Sequence, residues 1–141
     1  MDKVNVELAK GAEEVGLAVM LHHLVRQNME QNPHKIRDFH KLNISFGLTV
    51  TDADVELTME FSKGVLILRP GISPGAKVLI HAESDTIIAM SNLQIKWGMP
   101  YYFDETGREV LRAIFTKKMT VQGLLTHFPS MIRLSNVLSI N

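Results

Sequence analysis

The chain has 141 residues, which is the size of one domain with a substantial core. Lys plus Arg and Asp plus Glu both number 15, so the formal net charge is zero, which excludes the strongly basic composition typical of nucleic-acid binding or of a polybasic membrane anchor. The sequence contains no cysteine, which excludes disulfides, thiolate zinc sites and a thiol nucleophile. Acidic residues near the N-terminus argue against a secretory signal, and no apolar stretch is long enough to span a membrane. We therefore expect a single cytoplasmic domain over residues 1–141.

The first third of the chain shows helical spacing of apolar residues. This spacing predicts one long helix over residues 4–31. Its apolar side consists of Val4, Leu8, Val15, Val19, His22, Val25 and Met29. Asn32-Pro33 ends the helix, because the residue before a proline is pushed away from helical angles. A short connector follows from His34 to Phe39.

The period of the apolar residues then changes from 3.6 to 2, which is typical of half-buried strands. Three strands are predicted, and together they form an antiparallel meander with one apolar face. They cover residues 42–50, 54–61 and 65–69. After a loop that contains Pro70-Gly71 and Pro74-Gly75, residues 77–82 are predicted to form a fourth strand.

The C-terminal half mixes helices with one strand. Ser84 is predicted to cap a helix that runs to about Trp97 and stops at Gly98 to Pro100. A short helix is expected over residues 104–115, a fifth strand over 117–121, and a final amphipathic helix from 124 to about 138. The buried stripe of that last helix is predicted to contain Leu124, Leu125, Phe128, Met131 and Ile132. Pro129 is expected to kink this helix or to restart it after a turn.

Three segments carry a resemblance to a known family. They are the strand at residues 65–68 with the Pro-Gly loop and the strand at 78–80, the segment from Ser84 to Met90, and the segment from Ile114 to Gly123. With the order of the predicted elements, they resemble the sterol carrier protein type 2 family over roughly the whole chain. The stretch from Leu93 to Arg112 is longer than the corresponding link in that family.

The resemblance implies an α+β fold in which a five-stranded, mostly antiparallel sheet is covered on one face by helices. The long N-terminal helix and the C-terminal amphipathic helix would enclose an apolar tunnel. It further implies non-catalytic binding and transfer or presentation of a lipid (a fatty acid, a fatty acyl-CoA, a sterol-like molecule or an isoprenoid) without a cofactor. Large, deformable side chains suit such a tunnel. The expected lining residues are Phe46, Met59, Phe61, Met90, Phe115, Met119, Leu125, Phe128 and Met131.

Several alternatives stay open at this stage. No HExxH or GxSxG motif is present, and the six histidines lack metal-ligand spacing, so we expect neither an enzyme nor a metal site. An accessory lipid-binding subunit in quinone or isoprenoid biosynthesis is one alternative. A small thioesterase or isomerase on the same scaffold is another, with His22 and His81 as the first residues to test. Transient membrane contact and a homodimer also remain open, and the last helix, joined through Gly123, is a candidate lid.

Overall fold

The computed structural model describes residues 4–91, 95–96, 99–100, 105–106, 108–109, 112, 119–123 and 126–139. Within them the strands are β1 (Asn5–Leu8), β2 (Ser45–Val50), β3 (Val55–Ser62), β4 (Val65–Pro70), β5 (Val78–Ala82), β6 (Ile95–Lys96), β7 (Met99–Pro100) and β8 (Met119–Gln122). The helices are α1 (Gly16–Gln31), α2 (Ile36–Lys41), α3 (Ser84–Ser91) and α4 (Phe128–Leu138). Short 3-10 turns lie at Ala12–Glu14 and Pro33–Lys35.

Six of these strands form one mixed sheet in the order β1-β4-β3-β2-β5-β8. The meander β2-β3-β4 is antiparallel, as predicted. β5 lies parallel to β2 on its other side, and β1 lies parallel to β4 at the edge. The α+β class is therefore confirmed, whereas the five-stranded, mostly antiparallel sheet is corrected to a six-stranded mixed one. The sixth strand is β1, which the helical spacing had concealed. The sheet is mixed because β1 with β4 and β2 with β5 are parallel pairs, while the other three pairings are antiparallel.

The N-terminal segment corrects the prediction of a single helix over residues 4–31. Residues 5–8 pair with residues 65–68 of β4, and the amide of Asn5 donates to the carbonyl of Gly64 at 3.1 Å. Val6 turns into the core, whereas Asn5 and Glu7 point outward. Val4 and Leu8 fit a period of 4 and a period of 2 equally well, so the spacing was ambiguous. Gly11 adopts a left-handed conformation, with φ +90°, and the chain turns there before α1 begins.

The C-terminal half also departs from the predicted boundaries. α3 ends at Ser91 rather than near Trp97, and β6 pairs with β7 in a two-stranded antiparallel ribbon. Of the helix predicted over 104–115, the described residues 105–106, 108–109 and 112 are helical. β8 confirms the predicted fifth strand within two residues at its start and one at its end. Leu124 and Leu125 lie outside the described residues.

The last helix begins later than predicted and buries a different stripe. Pro129 occupies the first turn of α4, where its missing N–H breaks no helical hydrogen bond, so it neither kinks nor restarts the helix. Phe128 is 51% exposed, and Ile132 is half-buried. The buried apolar residues of α4 are Met131, Leu134, Val137 and Leu138.

The core lies against one face of the mixed sheet. The strand register places alternate residues of every strand on this core face, because each paired residue shares the face of its partner. Its central members are Phe46, Leu48 and Val50 of β2, Leu57, Met59 and Phe61 of β3, Leu66 and Leu68 of β4, and Val78 and Ile80 of β5. Leu21, Val25 and Met29 of α1 join the same cluster, as do Leu134 and Val137 of α4. The opposite face carries polar residues, including the ion pair of Glu60 and Arg69 at 2.9 Å.

Candidate functional site

Five of the predicted lining residues lie in the core cluster. Phe46 and Met59 are direct cross-strand partners, and the Phe46 ring meets the Phe61 ring edge to face at 5.9 Å. Met119 on β8 and Met131 on α4 are also buried members of the cluster. The structure thus brings these five side chains into one buried apolar cluster.

Of the remaining four predicted lining residues, one lies outside the core cluster, and the side chains of the other three are not described. Phe128 is half-exposed at the start of α4 and does not join the core cluster. Phe115 and Leu125 fall outside the described residues. Met90 lies in α3, but its side chain is not among those described. Of the six expected residues whose side chains are described, five lie in the core cluster and Phe128 does not.

An apolar groove opens at the hairpin end of β2 and β3. Its volume is about 370 Å³, which lies within the range of small-molecule sites. The start of α1, the β2–β3 turn and α3 form its walls. The lining residues are Gly16, Leu17, Met20, Val50, Ala53, Val55, Ser84 and Ile87. None of the predicted lipid-binding residues whose side chains are described lines this groove.

Hydrogen bonds between Asp52 and Ser84 hold the groove walls together. The amide and the hydroxyl of Ser84 both donate to Oδ1 of Asp52 at 2.8 Å. These two bonds connect the β2–β3 turn to the first residue of α3. Both bonds stabilise the carboxylate and so lower the pKa of the Asp52 carboxyl below its ordinary value of 3.8. The hydroxyl bond has the larger effect and the amide bond the smaller one. Ser84 was predicted to cap α3; its hydroxyl instead donates to the neighbouring turn.

Met20 stands at the mouth of this apolar groove. Its side chain is 46% exposed, which is unusual here for a large apolar residue. Leu17 and Met20 lie three residues apart on α1, beside the buried row of Ala18, Leu21 and Val25. A second apolar row of this kind was the available sequence signal for the groove, but the predicted apolar side of the helix included neither Leu17 nor Met20.

A second cavity lies at the opposite end of the same two strands. It has a volume of about 480 Å³ and a mixed polar and apolar lining. The lining residues are Lys41, Asn43, Ile44, Ser45, Phe61, Gly75, Lys77, His127 and Ser130. The six residues of β2 separate the two cavities by roughly 17 Å. Phe46 and Met59 lie between the cavities on the core face of the sheet.

The two histidines considered for catalysis occupy structural positions. His22 Nε2 is hydrogen-bonded to the carbonyl of Val6 at 3.0 Å, so it joins α1 to β1. His81 lies on β5 between Thr49 and Thr120, on the face of the sheet opposite the core. Neither lines the cavities above. Within the part of the chain that is described, no three His, Asp or Glu side chains cluster closely enough to hold a metal ion.

Buried polar bonds hold the C-terminal end of α4. Asn28 Nδ2 donates to the carbonyls of Val137 at 2.9 Å and Leu138 at 3.1 Å, and Lys35 Nζ donates to the carbonyl of Ser139. These donors satisfy carbonyls that a helix end leaves without partners. Any lid movement of α4 is therefore expected at its first turn, beside the second cavity, and not at its end.

Comparisons with known proteins bear on the fold. No protein-family model matches the chain. No curated protein matches it either. Among solved structures, a ubiquinone synthesis protein described as UbiJ-SCP2 superposes with a TM-score of 0.61 at 12% identity, covering 90% of this chain and 98% of the other. Sterol carrier protein 2 superposes with a TM-score of 0.53 at 12% identity, covering 84% and 90%.

These matches define the class of fold. The chain is structurally similar to sterol carrier protein 2 domain proteins over most of its length, and the expected resemblance is confirmed at the level of structure. Identities this low concern the fold and carry no residue of a site from one protein to another. In the described part of the chain, no helix is both long and apolar enough to cross a membrane.

Proposed function

We propose that this protein binds the apolar chain of a lipid without transforming it chemically. The observation that carries the proposal is the groove beside Leu17, Met20 and Ile87, whose lining is almost wholly apolar and which opens beside the sheet of a sterol-carrier-like fold. A groove of this composition offers hydrophobic contact but few groups for orienting a reaction. Transfer, storage or presentation of a fatty acyl or isoprenoid chain are roles that suit such a site.

The interior residues Phe46, Met59, Phe61, Met119 and Met131 extend the proposal. They are large side chains, and thioethers change rotamer at low cost, so they can yield to a longer chain entering from the groove. Phe115, Leu125, Phe128 and Met90 remain proposed members of the lining. Each buried methylene contributes about 0.8 kcal/mol, so about ten would give roughly 8 kcal/mol before ordering costs. That corresponds to micromolar binding, which allows release.

Native mass spectrometry of freshly purified protein, followed by lipid extraction, tests whether an apolar ligand is carried. We expect an added mass that disappears on denaturation and is recovered in the organic phase. Protein that carries no lipid and also fails to bind a fluorescent fatty acid would contradict the proposal.

Introducing a charge at the mouth of the groove tests whether the lipid binds there. Met20→Lys is expected to weaken binding of a fluorescent fatty acid by about tenfold or more, because the chain must pass a side chain that keeps its hydration. The position is half-exposed, so the fold should tolerate the change. Met20→Leu is the matched control and should bind like the wild type. Equal binding by all three proteins would place the lipid elsewhere.

A second candidate role is that of an accessory subunit presenting a quinone or isoprenoid precursor. The observation in its favour is the match to the protein described as a ubiquinone synthesis protein, which this chain covers almost completely. Stable co-purification of enzymes of such a pathway with the tagged protein would support presentation, whereas a purified protein that exchanges lipid between vesicles alone would favour transfer.

A further inference from the structure

The second cavity combines positive charge with a rigid frame. Its three walls are the connector from α2 to β2, the loop before β5 and the first turn of α4. The amide of Lys77 donates to the carbonyl of Ser45 at 3.0 Å, and the amide of Phe61 donates to the carbonyl of Ile44 at 3.0 Å. The amide of His127 donates to the carbonyl of Gly123, also at 3.0 Å. These backbone bonds fix the walls relative to the sheet.

The charges on the lining are of one sign. Lys41 and Lys77 both line the cavity, and no Asp or Glu is among its described lining residues. Among the described residues, neither lysine takes part in an ion pair. Along the chain, the acids nearest to Lys41 and Lys77 are Asp38 and Glu83, and neither of them lines the cavity. Lys41 and Lys77 are exposed residues on this lining, and among the described lining residues no acid balances their charges.

Neutral hydrogen-bonding groups complete the polar side of the cavity. Asn43 Oδ1 already accepts from the amide of Lys63 at 2.9 Å, which leaves the amide nitrogen of its side chain as a donor. Ser45 and Ser130 add hydroxyl groups, and His127 adds an imidazole. Phe61 and Ile44 add apolar side chains to the same lining. This composition suits a ligand with an anionic head and an apolar portion.

We infer that this cavity binds the phosphate or carboxylate group of an amphiphile between Lys41 and Lys77. Lysine ammonium groups bind phosphate as point charges, and serine and asparagine donors orient the oxygens. The anionic group can belong to a lipid head or to a soluble phosphate compound. The inference does not rest on the proposed lipid groove, because no described residue lines both cavities.

The test compares two double variants that remove the same charge. Lys41→Gln/Lys77→Gln changes the cavity, and Lys10→Gln/Arg26→Gln changes two exposed positions that do not line it. Dodecyl phosphate below its micelle concentration is the probe, at low ionic strength to limit screening. We expect the cavity variant to bind about tenfold more weakly than the wild type and the control to bind normally. Binding that is equal in the two variants overturns the inference.

Two further ligands identify the source of the anion. Dodecyl maltoside has the same tail and a neutral head, so its binding should not depend on Lys41 or Lys77. Inorganic phosphate that displaces dodecyl phosphate from the wild type shows that a free anion suffices. If only anionic vesicles displace it and inorganic phosphate does not, the site selects a lipid head. If the Lys41 and Lys77 variants show no effect, the result expected for the Met20 variants does not change. The two proposals can therefore be contradicted independently.

Discussion

Lys35 is a buried cationic residue whose hydrogen-bond partner lies far away in the sequence. Only 2% of it is exposed, and its ammonium group donates to the carbonyl of Ser139 at the end of α4. Burial lowers the pKa of Lys35 below its ordinary value of 10.5, and the nearby Asp38 carboxylate opposes that shift. A long cationic side chain thus serves as a buried helix cap, at the cost of desolvating its charge.

The lowered pKa of Lys35 makes stability depend on pH in a defined direction. Between the folded-state pKa and 10.5, the unfolded chain binds a proton that the folded chain does not. The free energy of unfolding contributed by Lys35 therefore rises as pH rises through that window, and the desolvation penalty is present in full below it. We expect the stability of the wild type relative to Lys35→Met to increase from neutral pH to about pH 10.

Urea unfolding at several pH values measures this difference, and taking the difference cancels the groups common to both proteins. Lys10→Met removes a lysine from an exposed position and serves as the control. A wild-type advantage over Lys35→Met that stays constant or shrinks with rising pH would contradict the assignment.

At the scale of elements, α4 is a core helix whose buried side differs from the predicted stripe. Leu134 is fully buried, whereas Phe128 is half-exposed. We expect Leu134→Ala to lower the free energy of unfolding by about 2–5 kcal/mol through lost contacts and a cavity. Phe128→Ala should change it by only about 0.5 kcal/mol. Chemical denaturation of both variants measures this, and equal losses would mean that Phe128 packs as the sequence pattern indicated.

The N-terminal strand shows how an element can be misread. Residues 5–8 belong to β1 because β4 offers a free edge there, and the amide of Ala9 donates to the carbonyl of Leu68 at 2.9 Å. Local spacing could not reveal that edge. By contrast, the end of α1 at Gln31 was predicted correctly from Asn32-Pro33. Of its predicted apolar side, Val25 and Met29 are buried, whereas Val19 is only partly buried.

At the scale of the whole molecule, the loop into α4 passes close to the loop before β5. Gly123 has φ +86°, and a Cβ there would lie 2.6 Å from the carbonyl oxygen of Lys77. Gly71 has a similar φ of +75° with no atom within 4 Å of the corresponding point. Substitutions at Gly71 and Gly123 can therefore be compared: both introduce backbone strain, but only the one at Gly123 also introduces a steric clash between distant segments.

We expect Gly71→Ala to cost about 1 kcal/mol of stability and Gly123→Ala at least about twice as much. Thermal or urea unfolding provides the comparison. Similar losses in the two variants would show that the loops separate at little cost, and the frame of the second cavity would then be less rigid than its hydrogen bonds indicate.

In the predicted site too, some features follow from local sequence patterns and others depend on contacts between distant segments. Phe46, Met59 and Phe61 could be placed on one face from alternation, because successive strand side chains point to opposite sides. A face that lines a cavity and a face that fills a core have the same sequence pattern, so the sequence could not distinguish them. The groove beside Met20 required knowing that α1, α3 and the β2–β3 turn meet, and those segments lie far apart in the chain.

The sequence by itself determined the α+β class, the antiparallel meander, the amphipathic helix α1 and the apolar character of the interior. All of these follow from local periodicity and turn chemistry, which act over a few residues. Only the tertiary structure decided the edge strand β1, the parallel pairing of β5 with β2, the capping of α4 by Asn28 and Lys35, and the positions of the two cavities. Each depends on contacts between segments that no local pattern encodes, since many pairings satisfy the same spacing and only packing selects among them.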